Sequence, residues 1–160
     1  LMTCAFARGA DDGWIAGFVA GLAEDQRAFG LQLLGGDTVA TPGPAMFSLT
    51  IVGMVEPGRA LRRAGARPGD DLWVSGTIGD GALGLLALTG RLPPDEHLTR
   101  RYRLPEPRLA LGQALIGIAR AAMDVSDGLV QDLGHLGRAA GCAAEIAAEA
   151  VPLSGAARIN

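Results

Sequence analysis

The feature that most constrains this chain is one long helical repeat set between two strand-like stretches. Asp11 and Asp12 precede Trp14, Ile15, Phe18, Val19 and Leu22, which recur at helical spacing. Aspartate at a helix start satisfies backbone amides that lack a carbonyl partner and sits at the positive end of the helix dipole. The spacing predicts a helix over Asp11–Phe29. Ahead of it, Leu1–Phe6 is apolar, as in a buried strand. After it, Leu31–Leu34 reads as a strand running into Gly35-Gly36-Asp37-Thr38, and Ala45–Val55, rich in Phe, Ile, Val and Thr, reads as another.

A turn is expected at Glu56-Pro57-Gly58, followed by a short basic stretch from Arg59 to Arg63. Arg67-Pro68-Gly69-Asp70 is a second turn signal, and the domain boundary is placed there, giving lobes 1–66 and 67–160. Beyond it, strands are expected at Asp71–Gly76, Ala122–Val125 and Cys142–Ile146. Helices are expected at Asp80–Thr89, capped by Asp80, at Pro107–Ala121, and at Asp127–Ala139 with Gly141 past its end. Arg91–Arg103 reads as a charged, proline-containing connection. The fold class is α+β, or mixed α/β, in two partial lobes.

Composition narrows the chemistry. Hydrophobic residues make up 49% of the chain and charged residues 19%, enough for a buried core. A net charge of -3 argues against a nucleic-acid surface, and no apolar run approaches the ~20 residues that span a bilayer. All 14 basic residues are arginine, which excludes the Walker phosphate-binding motif and its lysine. Phosphate chemistry here has to use arginine, backbone amides and metal. Cys4 and Cys142 match no metal spacing and read as buried free thiols of a reducing, cytoplasmic protein. The chain opens inside an apolar strand, so it is expected to be an internal piece.

Three stretches have the composition of a phosphate or metal site. In Gly35-Gly36-Asp37-Thr38 the glycines allow close backbone approach to phosphate, and Asp37 offers hard oxygen ligands for Mg²⁺; a plain turn has the same sequence. Asp124-Val125-Ser126-Asp127-Gly128 brackets a serine with two carboxylates where a helix is expected to begin. It suits a metal with an anion on the helix dipole, or simple capping by Ser126 or Asp127. Arg62-Arg63 can grip phosphate or stand as a solvated basic turn. Gly79-Asp80-Gly81 is fully explained as a helix cap, His97 and His135 as surface or structural residues, and Trp14 and Trp73 as core.

In this order these motifs resemble thiamine-monophosphate kinases, within the larger family of aminoimidazole-ribonucleotide synthetase-like ATP-binding proteins. The resemblance runs through Gly35-Gly36-Asp37-Thr38, Gly58–Asp70, Val74–Asp80, Pro105–Leu109 and Asp124–Leu129. It implies a partial two-lobed fold of mixed sheets covered by helices. Residues 1–66 would close the amino-terminal ATP-binding lobe and residues 67–160 open the next. It also implies transfer of the ATP γ-phosphoryl group to thiamine monophosphate. Carried over by position, Gly36, Asp37, Arg63 and Ser126 would contact ATP, and Asp37, Asp124 and Asp127 would hold Mg²⁺. Val39 stands where the family has a threonine, so a hydroxyl is lost there. The family's early acidic motifs and late substrate segment fall outside these residues, so the isolated chain is expected to be inactive. A homodimer is expected of the longer protein, with no nucleic-acid or membrane partner. A related synthetase, or an inert nucleotide-binding chain, are the other readings.

Overall fold

Asp11 caps the first helix as its chemistry requires. Its Oδ1 accepts a hydrogen bond from the Trp14 amide at 3.0 Å, worth about 1 kcal/mol for such caps. Helix α1 then runs over Asp12–Phe29 in the computed structural model, which describes residues 1–159. Gly30 ends it at φ 64°, a left-handed value that suits glycine. The chain divides into two units between Val55 and Glu56.

In the first unit β1 (Met2–Ala7) is the central strand. It pairs in parallel with β2 (Gly36–Thr41) and antiparallel with β3 (Met46–Leu49), giving the order β2-β1-β3. Helix α1 is the crossover that a parallel pair needs. Trp14 and Phe18, one turn apart on α1, stack at 5.9 Å and meet Phe6 of β1 and Phe47 of β3; Phe18 and Phe47 lie 4.5 Å apart. Aromatic contacts of this kind contribute roughly 0.5–1.5 kcal/mol each beyond area burial.

The expected strand over Leu31–Leu34 does not form. Its amides serve the end of α1 instead: Leu31 N donates to the Gln26 carbonyl at 2.9 Å and Leu33 N to Gln26 Oε1 at 3.1 Å. Pairing begins at Gly36, so Gly36 and Asp37 lie in a strand rather than in a loop after one. The stretch Ala45–Val55 forms a strand only over Met46–Leu49, beyond which Thr50 N donates to the Leu1 carbonyl at 2.9 Å.

In the second unit α2 (Asp80–Leu88) packs on α3 (Glu96–Arg103), a helix that the charged, proline-containing sequence concealed. Asp95 caps α3, accepting from Leu98 N at 2.8 Å. The two helices approach closely at Gly84, where a Cβ would lie 2.1 Å from the Leu98 carbonyl oxygen; Leu98 is almost wholly buried. Helix α4 covers only Leu109–Ala114 of the expected Pro107–Ala121, and Gly117 at φ 85° adopts a conformation that no helix continues through. Helix α5 spans Leu129–Ala140, a short 3₁₀ turn Ala148–Ala150, and α6 Gly155–Ile159.

The expected strands at Asp71–Gly76, Ala122–Val125 and Cys142–Ile146 have no ladder among the described residues. Strand-forming residues need a hydrogen-bonded neighbour along their length, and single bonds such as Ala122 N to Arg62 O at 3.0 Å do not supply one. Trp73, expected in a core, is 88% exposed. Both cysteines are free and half-buried rather than buried. No helix among the described residues is long and apolar enough to cross a membrane.

Candidate functional site

The Asp124–Gly128 loop is organised by a residue outside the motif. Asp132, in the first turn of α5, is 2% exposed, and its Oδ2 accepts from the amides of Ser126 at 2.9 Å, Asp127 at 3.1 Å and Gly128 at 3.2 Å. Burial alone would raise its pKa. The amides of Ser126, Gly128 and Asp127 and nearby His135 outweigh that and hold the carboxyl below its ordinary value. The helix begins after Gly128, and neither Ser126 nor Asp127 caps it through a side chain.

Asp124, Ser126 and Asp127 are exposed. Asp127 Oδ2 receives only a long contact from Gln131 Nε2 at 3.4 Å, and the Asp124 carboxylate has no hydrogen-bond or ion-pair partner among the described residues. Among those residues no three His, Cys, Asp or Glu side chains gather closely enough to hold a metal. The hard oxygen donors fit Mg²⁺ of the kind held by one or two carboxylates plus phosphate and water, and not a closed protein cage.

The segment carrying Arg63 runs beside the residues that lead into this loop. Besides the bond from Ala122 N to Arg62 O, a Cβ on Gly65 would lie 2.6 Å from the Arg120 carbonyl oxygen, so only glycine fits there. The Arg67-Pro68-Gly69-Asp70 turn forms as expected: Asp70 N donates to the Arg67 carbonyl at 3.1 Å, Arg67 N to Asp70 Oδ2 at 2.9 Å, and Arg120 pairs with Asp70 Oδ1. Arg63 is exposed, with no ion-pair partner among the described residues. Arg63, Asp124, Ser126 and Asp127 thus belong to the second unit, and Gly36 and Asp37 to the first.

In the first unit the glycine of the motif answers to the sheet. A Cβ on Gly36 would fall 1.7 Å from the Met2 carbonyl oxygen. Asp37 is exposed opposite Thr3, its Oδ1 accepting from Thr38 N at 2.8 Å.

Asp80 is the second buried carboxylate that sequence reading passed over. It is 1% exposed and is the first residue of α2, not its cap, a position held by Gly79. Ser154 donates to it at 2.6 Å and Thr77 at 2.5 Å, His97 Nε2 lies 3.3 Å away and Arg101 Nε 4.0 Å. Desolvation pushes its pKa up, and the hydrogen bonds from Ser154, Thr77 and His97 bring it below the ordinary value. This cluster ties α2, α3 and the start of α6 together and includes none of the candidate residues. The signal for Asp132 was local, a carboxylate four residues after the Gly128 that ends the loop. For Asp80 only Thr77 is local, three positions away, whereas His97 lies 17 and Ser154 74 positions away.

Fold and site define a two-unit α+β chain whose polar loops are built from aspartate, arginine and glycine without lysine. The model of the AIR synthase related protein, N-terminal domain, matches residues 1–55, and that of the C-terminal domain matches residues 67–158. The chain belongs to the AIR synthase related protein family. It is 51% identical over 138 residues to a thiamine-monophosphate kinase of Caulobacter vibrioides, a match covering 86% of this chain and 39% of that protein. The crystal structure of a thiamine-monophosphate kinase from Stenotrophomonas maltophilia K279a is similar at a TM-score of 0.87 and 41% identity, over 97% of this chain and 52% of that one. The AaThiL structure complexed with AMPPCP and TMP is similar at 0.82 and 28%, over 97% and 50%. The chain therefore spans about half the length, or less, of these relatives.

Proposed function

We propose that this chain supplies ATP- and Mg²⁺-binding residues for transfer of the ATP γ-phosphoryl group to thiamine monophosphate, giving thiamine diphosphate. The observation that carries the reading is the exposed Asp124-Ser126-Asp127 loop beside the Arg62–Gly65 segment, in a chain similar along both units to thiamine-monophosphate kinases. In the reaction a phosphate oxygen of thiamine monophosphate attacks the γ-phosphorus, the bond to the β–γ bridging oxygen breaks, and ADP leaves. Both reactants are anionic, so catalysis consists chiefly of positioning and charge neutralisation.

Asp37, Asp124 and Asp127 hold Mg²⁺, which when bound screens the charge of the phosphates. Gly36, Asp37, Arg63 and Ser126 contact ATP in this reading. Arginine takes the part that lysine has in Walker proteins, with a planar fork that meets phosphate oxygens in pairs. The full-length protein is a cytoplasmic homodimer in this reading, with no nucleic-acid or membrane partner.

The partial span favours a second reading for the isolated 160 residues, a chain that binds nucleotide without turnover. Incubation with ATP, Mg²⁺ and thiamine monophosphate, followed by chromatography and mass measurement, separates the two. Thiamine diphosphate from the chain alone supports the first. Binding of Mg²⁺ and AMPPCP by calorimetry without product, with turnover restored in a chain extended at both ends, supports the second. An extended chain that makes no thiamine diphosphate sinks the kinase reading.

A further inference from the structure

A helix start preceded by a loop of free amides is a ready anion site, because the amides and the helix dipole both favour negative charge. The start of α5 has that form, but the three amides of the loop ahead of it are already taken. Those of Ser126, Asp127 and Gly128 all converge within 3.2 Å on one oxygen of Asp132, and that carboxylate is 2% exposed. A phosphate oxygen cannot take the same amides without displacing a buried anion, and the two anions repel at that range. The loop also carries Asp124 and Asp127, both exposed. A polyphosphate meeting this surface finds carboxylates and one hydroxyl, and it needs a cation between itself and them.

We propose that Asp132 is a positioning residue: its carboxylate fills the amide cradle at the start of α5 and fixes the Asp124–Gly128 loop, so that side chains, and not backbone amides, meet the ligand there. This rests on the proposed nucleotide and Mg²⁺ role of the loop. Charge-assisted hydrogen bonds from three successive amides hold a loop far more firmly than a solvated turn. An exposed carboxylate such as Asp124, which has no partner among the described residues, has its backbone placed by its neighbours alone. Groups that orient metal ligands without touching the metal typically change affinity about 10–100-fold when lost.

The test joins amide hydrogen exchange at Ser126, Asp127 and Gly128, read by NMR, with calorimetric affinity for Mg²⁺ and AMPPCP, in the 160-residue chain. Asp132→Ala is expected to speed exchange at the three amides by more than about tenfold and to weaken nucleotide affinity about 10–100-fold. Asp132→Asn, which keeps an accepting oxygen without the charge, falls between and covers the case in which the alanine variant does not fold. Asp80→Asn is the control: it lowers the unfolding midpoint through a different cluster and leaves both readouts at their original values. Unchanged exchange in Asp132→Ala overturns the proposal, and so does faster exchange with unchanged affinity. If the unsubstituted chain binds no Mg²⁺ and AMPPCP, the ligand-positioning role fails for these residues, while exchange alone still decides whether Asp132 fixes the loop.

Discussion

At the scale of single residues, two aspartates that look like helix-start decoration are the buried charges of the second unit. Asp80 gathers Thr77, His97 and Ser154, and Asp132 gathers three amides. Removing Asp80 leaves the half-buried hydroxyls of Thr77 and Ser154 without their acceptor, so Asp80→Ala is expected to lower stability by about 1–3 kcal/mol in urea unfolding. Both carboxyls have folded pKa values below their ordinary ones. The unfolded chain therefore takes up protons first as pH falls. Their contribution is full above the ordinary aspartate pKa of about 3.9 and is lost as pH drops through the folded value. Unfolding midpoints are expected to fall between about pH 5 and pH 3, and to fall less in Asp80→Asn. An unchanged pH slope in that variant would remove Asp80 from the explanation. The Asp11 cap was legible because cap and amide are three positions apart. The Asp80 cluster was not, because the fold alone brings Ser154 to it.

Among elements, helices declared themselves more reliably than strands. Helix α1 carries its cap, its periodic apolar face and its terminating glycine within one continuous stretch. A strand is completed by another stretch of chain, so Leu31–Leu34 and Ala122–Val125 had strand composition without a partner to pair with. Helix α3 was missed because its signal is a cap, Asp95, at the end of a proline-rich run. Two glycines mark where elements touch. Gly84→Ala drives a methyl group to within 2.1 Å of the Leu98 carbonyl oxygen and is expected to cost about 1–3 kcal/mol as α2 and α3 part. Gly36→Ala meets the Met2 carbonyl oxygen at 1.7 Å, so it is expected to disturb β1–β2 pairing before it reports on nucleotide. Circular dichroism of that variant, compared with Asp37→Asn, separates the two effects: Asp37 is exposed, and its substitution leaves the sheet signal intact. Of the candidate site, the sequence showed which side chains are polar, and the structure showed that they are exposed. The sequence did not show that the amides beside them were already occupied.

At the scale of the whole molecule, the question is how much of a thiamine-monophosphate kinase relative these residues span. Two family models match in succession, yet the aligned stretch is 39% of the Caulobacter vibrioides relative. The sharpest experiment at this scale gives the chain the surroundings it has in that relative. A chimera in which this chain's residues replace the 138 aligned ones is expected to make thiamine diphosphate, because half the aligned positions are already identical. Within it, Asp124→Asn removes a proposed metal ligand, and Arg63→Ala removes an arginine proposed to meet the phosphates. Loss of a ligand should exceed the roughly 10–100-fold cost of losing its supporting neighbours, so Asp124→Asn is expected to lower turnover by more than about a hundredfold. Arg63→Ala is expected to weaken ATP, about tenfold for one lost charge-assisted pair, with the fold intact because Arg63 is exposed and unpaired among the described residues. A chimera that folds and binds ATP but ignores thiamine monophosphate would keep the nucleotide assignment and transfer the acceptor question to the related synthetases. A chimera whose turnover survives Asp124→Asn would show that the loop before α5 is only the start of a helix, held in place by Asp132 for the sake of the fold.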